Sequence, residues 1–439
     1  MAHSDATPDR IHVSRRTSPT FSLRYGSLSK WVMGMFLIGV FVDYGGGIGV
    51  KLPLTLIALL WVLLCKVTPS ILYKFRADLF IFLGAPALIS LLHLISAPSE
   101  EILHYVAAFY STVSSALLLL LFPLVWLTGA RRTQHMVLTG MVGVAAIMII
   151  LATLHYLGII DLYSYSGLAR DYRLGYIGID PRQQGIDFAS RPLVSFRVVF
   201  TLVFGFGLAL GVSWLYTGLI TIGLILLLAR GMWLGAAIVF FLWMLTGRQR
   251  LLRTRLKIKR LLQVGAVLVL GIGIVLYFDI RLLLWKNVVV ILERFGQQSN
   301  LEDVSTLVRL GHLEGYTNLV YQFPLGLLGG FGPNASIRNS WTGWEITLTE
   351  ISILNIMIWY GVLYAAIFFS WLLLSAYRLW CLRQRPGYGI EDTALIVGAV
   401  GFWLAANTNP LLNSPMAFIA LMIIRVRTLE LQVGRDTVN

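Results

Sequence analysis

From residue 29 to residue 426 the chain is a succession of apolar runs separated by short polar segments. A spanning helix needs roughly 20 predominantly apolar residues. Runs approaching or reaching that length lie near 29–45, 52–67, 78–96, 104–128, 136–158 and 193–214. Six more lie near 215–229, 231–246, 262–280, 349–376, 392–408 and 411–426. Of the 439 residues 57% are hydrophobic and only 13% charged, whereas soluble domains are nearer half apolar and a quarter charged. No water-soluble fold of this length hides so much apolar surface. The sequence therefore predicts an all-α polytopic membrane protein of about twelve transmembrane helices. Disordered, fibrous, secreted and disulfide-scaffold chains are excluded.

A net charge of +14 raises nucleic acid as a partner, but the positives fall in short clusters between apolar runs. That is the pattern of cytoplasmic loops, not of a nucleic-acid surface. An even number of spans puts both termini on one side. Assigning the tails to the cytoplasm places most of the 35 Lys and Arg inside. Residues 1–28 then form a polar, basic cytoplasmic tail without the apolar core of a signal peptide. Residues 29–426 form one transmembrane domain, and 427–439 a cytoplasmic tail. The densest cluster, RQRLLRTRLKIKR from Arg248 to Arg260, anchors one loop at anionic headgroups. Cys65 and Cys381 both fall near cytoplasmic ends, so neither a disulfide nor a metal site is implied. Two longer segments, 159–192 and 281–348, face outward.

Arg230 is the most informative single position, because LILLLARGMWLGAAIVFF is apolar on both sides of it. A central arginine costs a membrane helix roughly 2.5–3.5 kcal/mol. The cost falls if Arg230 sits where one span meets the outer face and the next turns back. There it either snorkels to headgroups or belongs to an anion site. The outer segments add Arg170, Arg173, Arg182, Arg191, Arg197, Arg281, Arg294, Arg309 and Arg338. Many have acidic neighbours and suit surface ion pairs. Collectively, Arg191 and Arg197 at one span mouth, Arg230 at another and Arg309 on a loop helix form a set of guanidinium forks suited to pyrophosphate oxygens.

The second outer segment predicts a helix from Val308 to Phe323, with Arg309, His312 and Tyr316 in one stripe. Pro324 stops it, and the glycines of PLGLLGGFGPN allow tight turns. Among the outward histidines (His93, His104, His155 and His312), His312 is the best general-base candidate because it shares a face with Arg309. Glu350 opens the next span, either as an arginine partner or as a base. Trp341 and Trp344 belong either to the interfacial aromatic belt or to a sugar-stacking platform. No P-loop, zinc motif or row of intramembrane carboxylates occurs, so no cofactor and no metal are expected.

Four features together resemble the O-antigen polymerase and O-antigen ligase superfamily of bacterial envelope enzymes. LLLARGMWLG resembles its small-residue–Arg–Gly segment between two spans, with Ala229 where serine is common. RLGHLEGYTNLVYQFPLGLLGGFG resembles its run of an arginine, an amphipathic helix, a proline and several glycines: Arg309, Pro324, Gly326, Gly329 and Gly330. EISILNIMIWYG resembles its Glu-to-Gly run, with Glu350 and Gly361. The fourth feature is the layout of about a dozen spans around a large late loop. The likeness covers residues 130–375.

The resemblance implies a metal-independent glycosyltransferase in the bacterial inner membrane, with its active site at the periplasmic face. Its donor is a glycan on undecaprenyl pyrophosphate. An acceptor hydroxyl attacks the anomeric carbon with inversion, and the lipid pyrophosphate leaves. Arg191, Arg230 and Arg309, with Arg197 and Arg338 in reserve, would bind the pyrophosphate. His312 or Glu350 would act as base, and Tyr316, Trp341 and Trp344 would meet glycan. The acceptor is a lipid-linked repeat unit in a polymerase or lipid A–core in a ligase. Membrane lipids and a chain-length regulator are the further partners. Ligases of this superfamily carry a His-Asn motif late in the loop, whereas ASIRNSWTGWE has Arg338-Asn339 and no histidine. The Glu350 run looks more like a polymerase. A lipid-linked oligosaccharide flippase stays as an alternative, although the span repeats expected of a transporter are not visible. A glycosyltransferase of the shape and division family is the other rival, but no catalytic acid in a shorter late loop matches it.

Overall fold

The computed structural model describes residues 19–42, 50–65, 68–95, 102–156, 159–160, 177–179, 192–194, 196–226, 230–251, 304–333, 335–346, 349, 351–407, 412 and 414–434. The predicted run 262–280, Arg191, Glu350 and most of the loop 159–192 lie outside the described residues, as does the first part of the 281–348 loop. Arg197 and Arg230 are placed by their backbones alone.

The chain is mostly helical, as its composition requires. In order come α1 (Pro19–Val42), α2 (Lys51–Leu64), α3 (Thr68–Lys74), α4 (Arg76–Ile95), α5 (Ile102–Val113), α6 (Phe122–Thr128) and α7 (Ala130–Tyr156). A short antiparallel pair, β1 (Ile177–Ile179) and β2 (Pro192–Val194), precedes α8 (Phe196–Leu210), α9 (Trp214–Leu226) and α10 (Arg230–Leu251). Then follow α11 (Val304–Gln322), the hairpin β3 (Ile337–Arg338) and β4 (Glu345–Ile346), α12 (Ser352–Cys381), α13 (Ile390–Ala406) and α14 (Pro415–Val433).

Helices lie over every predicted apolar run within the described residues, but helix and span are not the same thing. Among the described residues, three helices are long and apolar enough to cross a membrane: Arg76–Ile95, Ala130–Leu151 and Ser352–Cys381. The pair α2 and α3, bent by 103°, makes a fourth only if it counts as one broken span. The expectation of membrane-spanning helices is thus met in kind; among the described residues three helices, or four with the bent pair, have the length. At about 1.5 Å rise per residue, the 13 residues of α9 fall well short of a hydrocarbon core about 30 Å thick. The run 104–128 is divided by a 3₁₀ segment, Ala116–Leu121, and by Pro123 in the first turn of α6.

Three boundaries differ from the expectation. α1 begins at Pro19, within the predicted tail, where proline suits a first helical turn. α10 continues to Leu251, into the basic cluster, whose arginines and leucine favour helix. α14 runs to Val433 with Arg427 and Glu430 buried, so the predicted tail from residue 427 starts inside the bundle.

Packing between helices relies on small residues. A Cβ added at Gly207 of α8 would stand 2.3 Å from the Gly398 Cα of α13. One added at Gly235 of α10 would stand 2.5 Å from the Ala405 Cβ, and one at Gly401 2.1 Å from Val239. Close backbone approach of this kind replaces the hydrophobic drive that lipid removes. α14 is apolar nearly all round and buried over most of its length, which makes it the central helix. Gly207→Ala is expected to push α8 off α13 at a cost of about 1–3 kcal/mol, read as a lowered unfolding temperature in detergent. Gly218→Ala, with nothing within 4 Å of the new methyl, should leave that temperature unchanged.

The bundle has two chemically different ends. At one, Arg131, Asp392, Arg427 and Glu430 join the starts of α7 and α13 to the end of α14. Nearby in sequence to Arg427, Arg425 holds buried Asp78 through two hydrogen bonds to Oδ2 and one to Oδ1, all 2.9–3.0 Å, and Trp371 Nε1 donates to Oδ1 at 2.9 Å. α4 begins at this pair. A π-helical stretch, Phe80–Gly84, leaves the Ile81 carbonyl to accept from Tyr364 Oη at 2.9 Å. At its far end α4 carries His93 to a glycine loop, where the candidate site lies.

Candidate functional site

α11 forms where the sequence predicts a helix, and its buried face is spelled by Gly311, His312, Gly315 and Tyr316. The two glycines, one turn apart, open a groove for the hairpin. A Cβ at Gly311 would sit 2.5 Å from Asn339 Oδ1, and one at Gly315 2.4 Å from the Arg338 carbonyl oxygen. Asn339 is buried there and bonds to both elements. Its amide donates to the Val308 carbonyl at 2.8 Å, while Oδ1 accepts from the backbone N–H groups of Trp341 and Thr342 at 3.0 and 2.8 Å. Ser340 Oγ donates to the Glu314 carboxylate. Helix and hairpin are therefore one unit.

The predicted stripe Arg309, His312 and Tyr316 lies on this unit, but it faces inward. His312 is only 4% exposed, and Arg309 is half-buried. Tyr316 is buried with its ring edge-on to Phe331, 6.4 Å between centroids. Burial pushes the Tyr316 phenol up from its ordinary value, so it is a neutral hydroxyl on a packed side chain. Trp341 and Trp344 are exposed on the hairpin turn, as either reading of them requires. Arg338 is exposed, and its Nε donates to the Gly343 carbonyl at 3.3 Å.

Beyond Gln322 the chain turns at Pro324 and passes through one helical turn, Gly326–Gly329. Gly330 and Gly332 follow with φ of +80° and +92°. Conformational freedom explains only part of these glycines. α12 is broken at Gly361, whose φ is 85° and ψ 165°, and a broken helix leaves carbonyls without their usual donors. The loop supplies them: Phe331 N–H donates to the Ile358 carbonyl at 2.7 Å and Gly332 N–H to that of Trp359 at 3.2 Å. Backbone meets backbone, so a Cβ at Gly330 would lie 2.4 Å from the Trp359 oxygen and one at Gly361 2.0 Å from the Leu328 oxygen.

Two side chains from α4 and α5 close over this loop. His93 Nε2 lies 3.4 Å from the Gly329 carbonyl oxygen. A Cβ at Gly332 would be 2.8 Å from Tyr105 Oη and 3.3 Å from His93 Cγ. Tyr105 is 7% exposed, and its hydroxyl has no hydrogen-bond partner among the described residues.

The structure thus brings Arg309, His312, Tyr316, Arg338, Trp341 and Trp344 onto one helix–hairpin unit. Arg230 is the first residue of α10 and Arg197 the second of α8. Arg191 and Glu350 lie outside the described residues. Sequence reasoning missed Asn339 as the organiser of the hairpin, although an asparagine just ahead of Thr342-Gly343 is a turn signal. It also missed the meeting of His93 and Tyr105 with the loop. Among the described residues, no group of three or more His, Cys, Asp and Glu could hold a metal ion. No family model matches this chain, and no curated protein matches it either.

Proposed function

We propose that this protein is a bacterial inner-membrane glycosyltransferase that polymerises undecaprenyl-pyrophosphate-linked repeat units into a surface polysaccharide at the periplasmic face. The observation that supports it best is the neighbourhood of α11. A helix bearing Arg309, His312 and Tyr316 adjoins a rim of exposed apolar and aromatic side chains: Tyr321, Phe323, Leu325, Leu328, Trp341 and Trp344. A substrate with an isoprenoid tail, a pyrophosphate and a glycan needs apolar surface, cations and hydroxyl partners in that order.

In this reading the acceptor hydroxyl attacks the anomeric carbon and the carbon–oxygen bond to pyrophosphate breaks. Charge develops on the leaving group, so fixed cations near it are the main requirement. Arg309, Arg230 and Arg191 take that role, with Arg197 and Arg338 behind them. His312 and Glu350 are the sequence's candidates for accepting the proton, although a base 4% exposed reaches a substrate only if its surroundings open.

Purified protein in nanodiscs, given undecaprenyl-pyrophosphate repeat units, is expected to yield a ladder from donor alone. Product only when lipid A–core is added makes it a ligase. No product with a verified donor ends the transferase reading and restores the flippase. Arg309→Ala is expected to lower turnover about 10²–10³-fold while the protein still inserts and unfolds at its normal temperature. A membrane scaffold would tolerate the change.

A further inference from the structure

We infer that His93, not His312, is the imidazole that takes the proton from the acceptor hydroxyl, with Tyr105 as a hydroxyl partner of the same oxygen. The inference rests on the transferase reading and adds to it a catalytic pair from a different part of the chain. A general base must come within hydrogen-bond reach of the proton it removes. His312 is 4% exposed, whereas His93 is partly exposed at the end of α4, against the glycine loop.

The loop also sets the state of the ring. Nε2 faces the Gly329 carbonyl oxygen at 3.4 Å. A carbonyl accepts and cannot donate, so the tautomer that fits this contact carries its hydrogen on Nε2 and presents Nδ1 as the acceptor nitrogen. A base whose second nitrogen is oriented by a fixed acceptor is the arrangement that proton-abstracting histidines require. Tyr105 supplies the independent observation. Its hydroxyl is more than nine-tenths buried, has no partner among the described residues, and meets the same point off Gly332 as the His93 ring. Leaving a buried hydroxyl unmatched costs about 1–3 kcal/mol, a cost that a saccharide hydroxyl removes by entering beside the partly exposed His93 ring. The loop that both groups contact is tied to the arginine-bearing helix through Phe331 against Tyr316.

The step balances. The acceptor oxygen forms its bond to the anomeric carbon and its proton passes to His93 Nδ1. The bond from that carbon to the pyrophosphate oxygen breaks, and the electron pair leaves with the lipid pyrophosphate. The imidazolium then returns its proton to water.

The test uses full-length protein in nanodiscs with undecaprenyl-pyrophosphate repeat units as probe. Ladder formation, retention of radiolabelled donor and unfolding temperature are measured for His93→Ala, His93→Gln and Tyr105→Phe. His93→Gln keeps an amide donor for the Gly329 carbonyl but has no base. Both His93 variants are expected to lose about 10²–10⁴-fold in turnover while retaining donor and fold, and added imidazole should restore part of the His93→Ala rate. Tyr105→Phe should lose turnover more mildly. Wild-type turnover in either His93 variant overturns the inference and leaves the transferase reading intact. So does joint loss of donor retention and turnover, or of fold in both, since His93 then only anchors the loop. A wild-type protein that makes no product overturns both.

Discussion

Asp392→Ala is expected to cost the folded protein about 3–5 kcal/mol, the usual penalty for stranding a buried charge, and to lower its unfolding temperature in detergent accordingly. Asp392 is fully buried at the start of α13. Its Oδ1 accepts from Arg427 Nε at 2.7 Å, and its Oδ2 from Arg131 Nη2 at 3.2 Å and from the Gly389 backbone N–H at 2.7 Å. The last bond caps α13. Removing the carboxylate leaves the Arg427 guanidinium, only 1% exposed, with Glu430 and the Gly387 carbonyl as its remaining partners in this network. Arg131 is a third exposed and can turn to solvent; Arg427 cannot. Glu391→Ala makes the contrast, because its carboxylate is 30% exposed and stands 3.6 Å from Arg131 Nε. A pair of that kind is worth about 0–1 kcal/mol. Asp392→Asn combined with Arg427→Met and Glu430→Gln keeps an acceptor for the cap and one for the Ala130 N–H and leaves no buried charge without a counter-charge, so it should recover most of the loss. Equal destabilisation by Asp392→Ala and Glu391→Ala would falsify the assignment of α13 and α14 to a shared buried charge network.

That network was not legible in the sequence, and its separations say why. Arg427 and Asp392 are 35 residues apart, Arg425 and Asp78 347, and His93 and Gly329 236. None of these is a helical spacing, so no periodicity reveals them. What hydropathy does carry is local. It located the helices, among them the helix ahead of Pro324, because each depends on residues within a turn or two of one another. Span number was less accessible, since a run such as 104–128 reads as continuous while Pro123 and the 3₁₀ segment divide it. For α11, the spacing of Arg309, His312 and Tyr316 gave a common stripe but not its direction. The clue to direction is Gly311 with Gly315. Two glycines one turn apart beside the stripe mark a face where another backbone approaches, and that face carries His312 and Tyr316 inward beside the hairpin.

Gly361→Ala is expected to undock the glycine loop and lower turnover by about 10²-fold or more, the scale on which a misplacement of 1 Å acts. Two effects act together at this position. With φ at 85° and ψ at 165°, a region open essentially to glycine alone, an alanine strains the backbone by about 1–3 kcal/mol, and alanine's helix preference favours a straight α12. The new Cβ would also lie 2.0 Å from the Leu328 oxygen, 2.5 Å from the Leu328 carbonyl carbon and 2.8 Å from the Gly330 nitrogen. These are backbone atoms, which no rotamer change moves aside. A straight α12 reclaims the Ile358 and Trp359 carbonyls that Phe331 and Gly332 now use, so the loop loses its hydrogen bonds and its space at once. The helix–hairpin unit hangs from that loop, and the His93 contact goes with it. Faster tryptic cleavage at Arg338 should therefore accompany the loss of ladder formation, giving a readout that does not depend on the reaction assigned. Gly343→Ala separates strain from collision: its φ is +73° but nothing lies within 4 Å of the added methyl, and it is expected to keep turnover. A Gly361→Ala protein that matches the wild type in both protease resistance and turnover contradicts the docking of the loop on the α12 break.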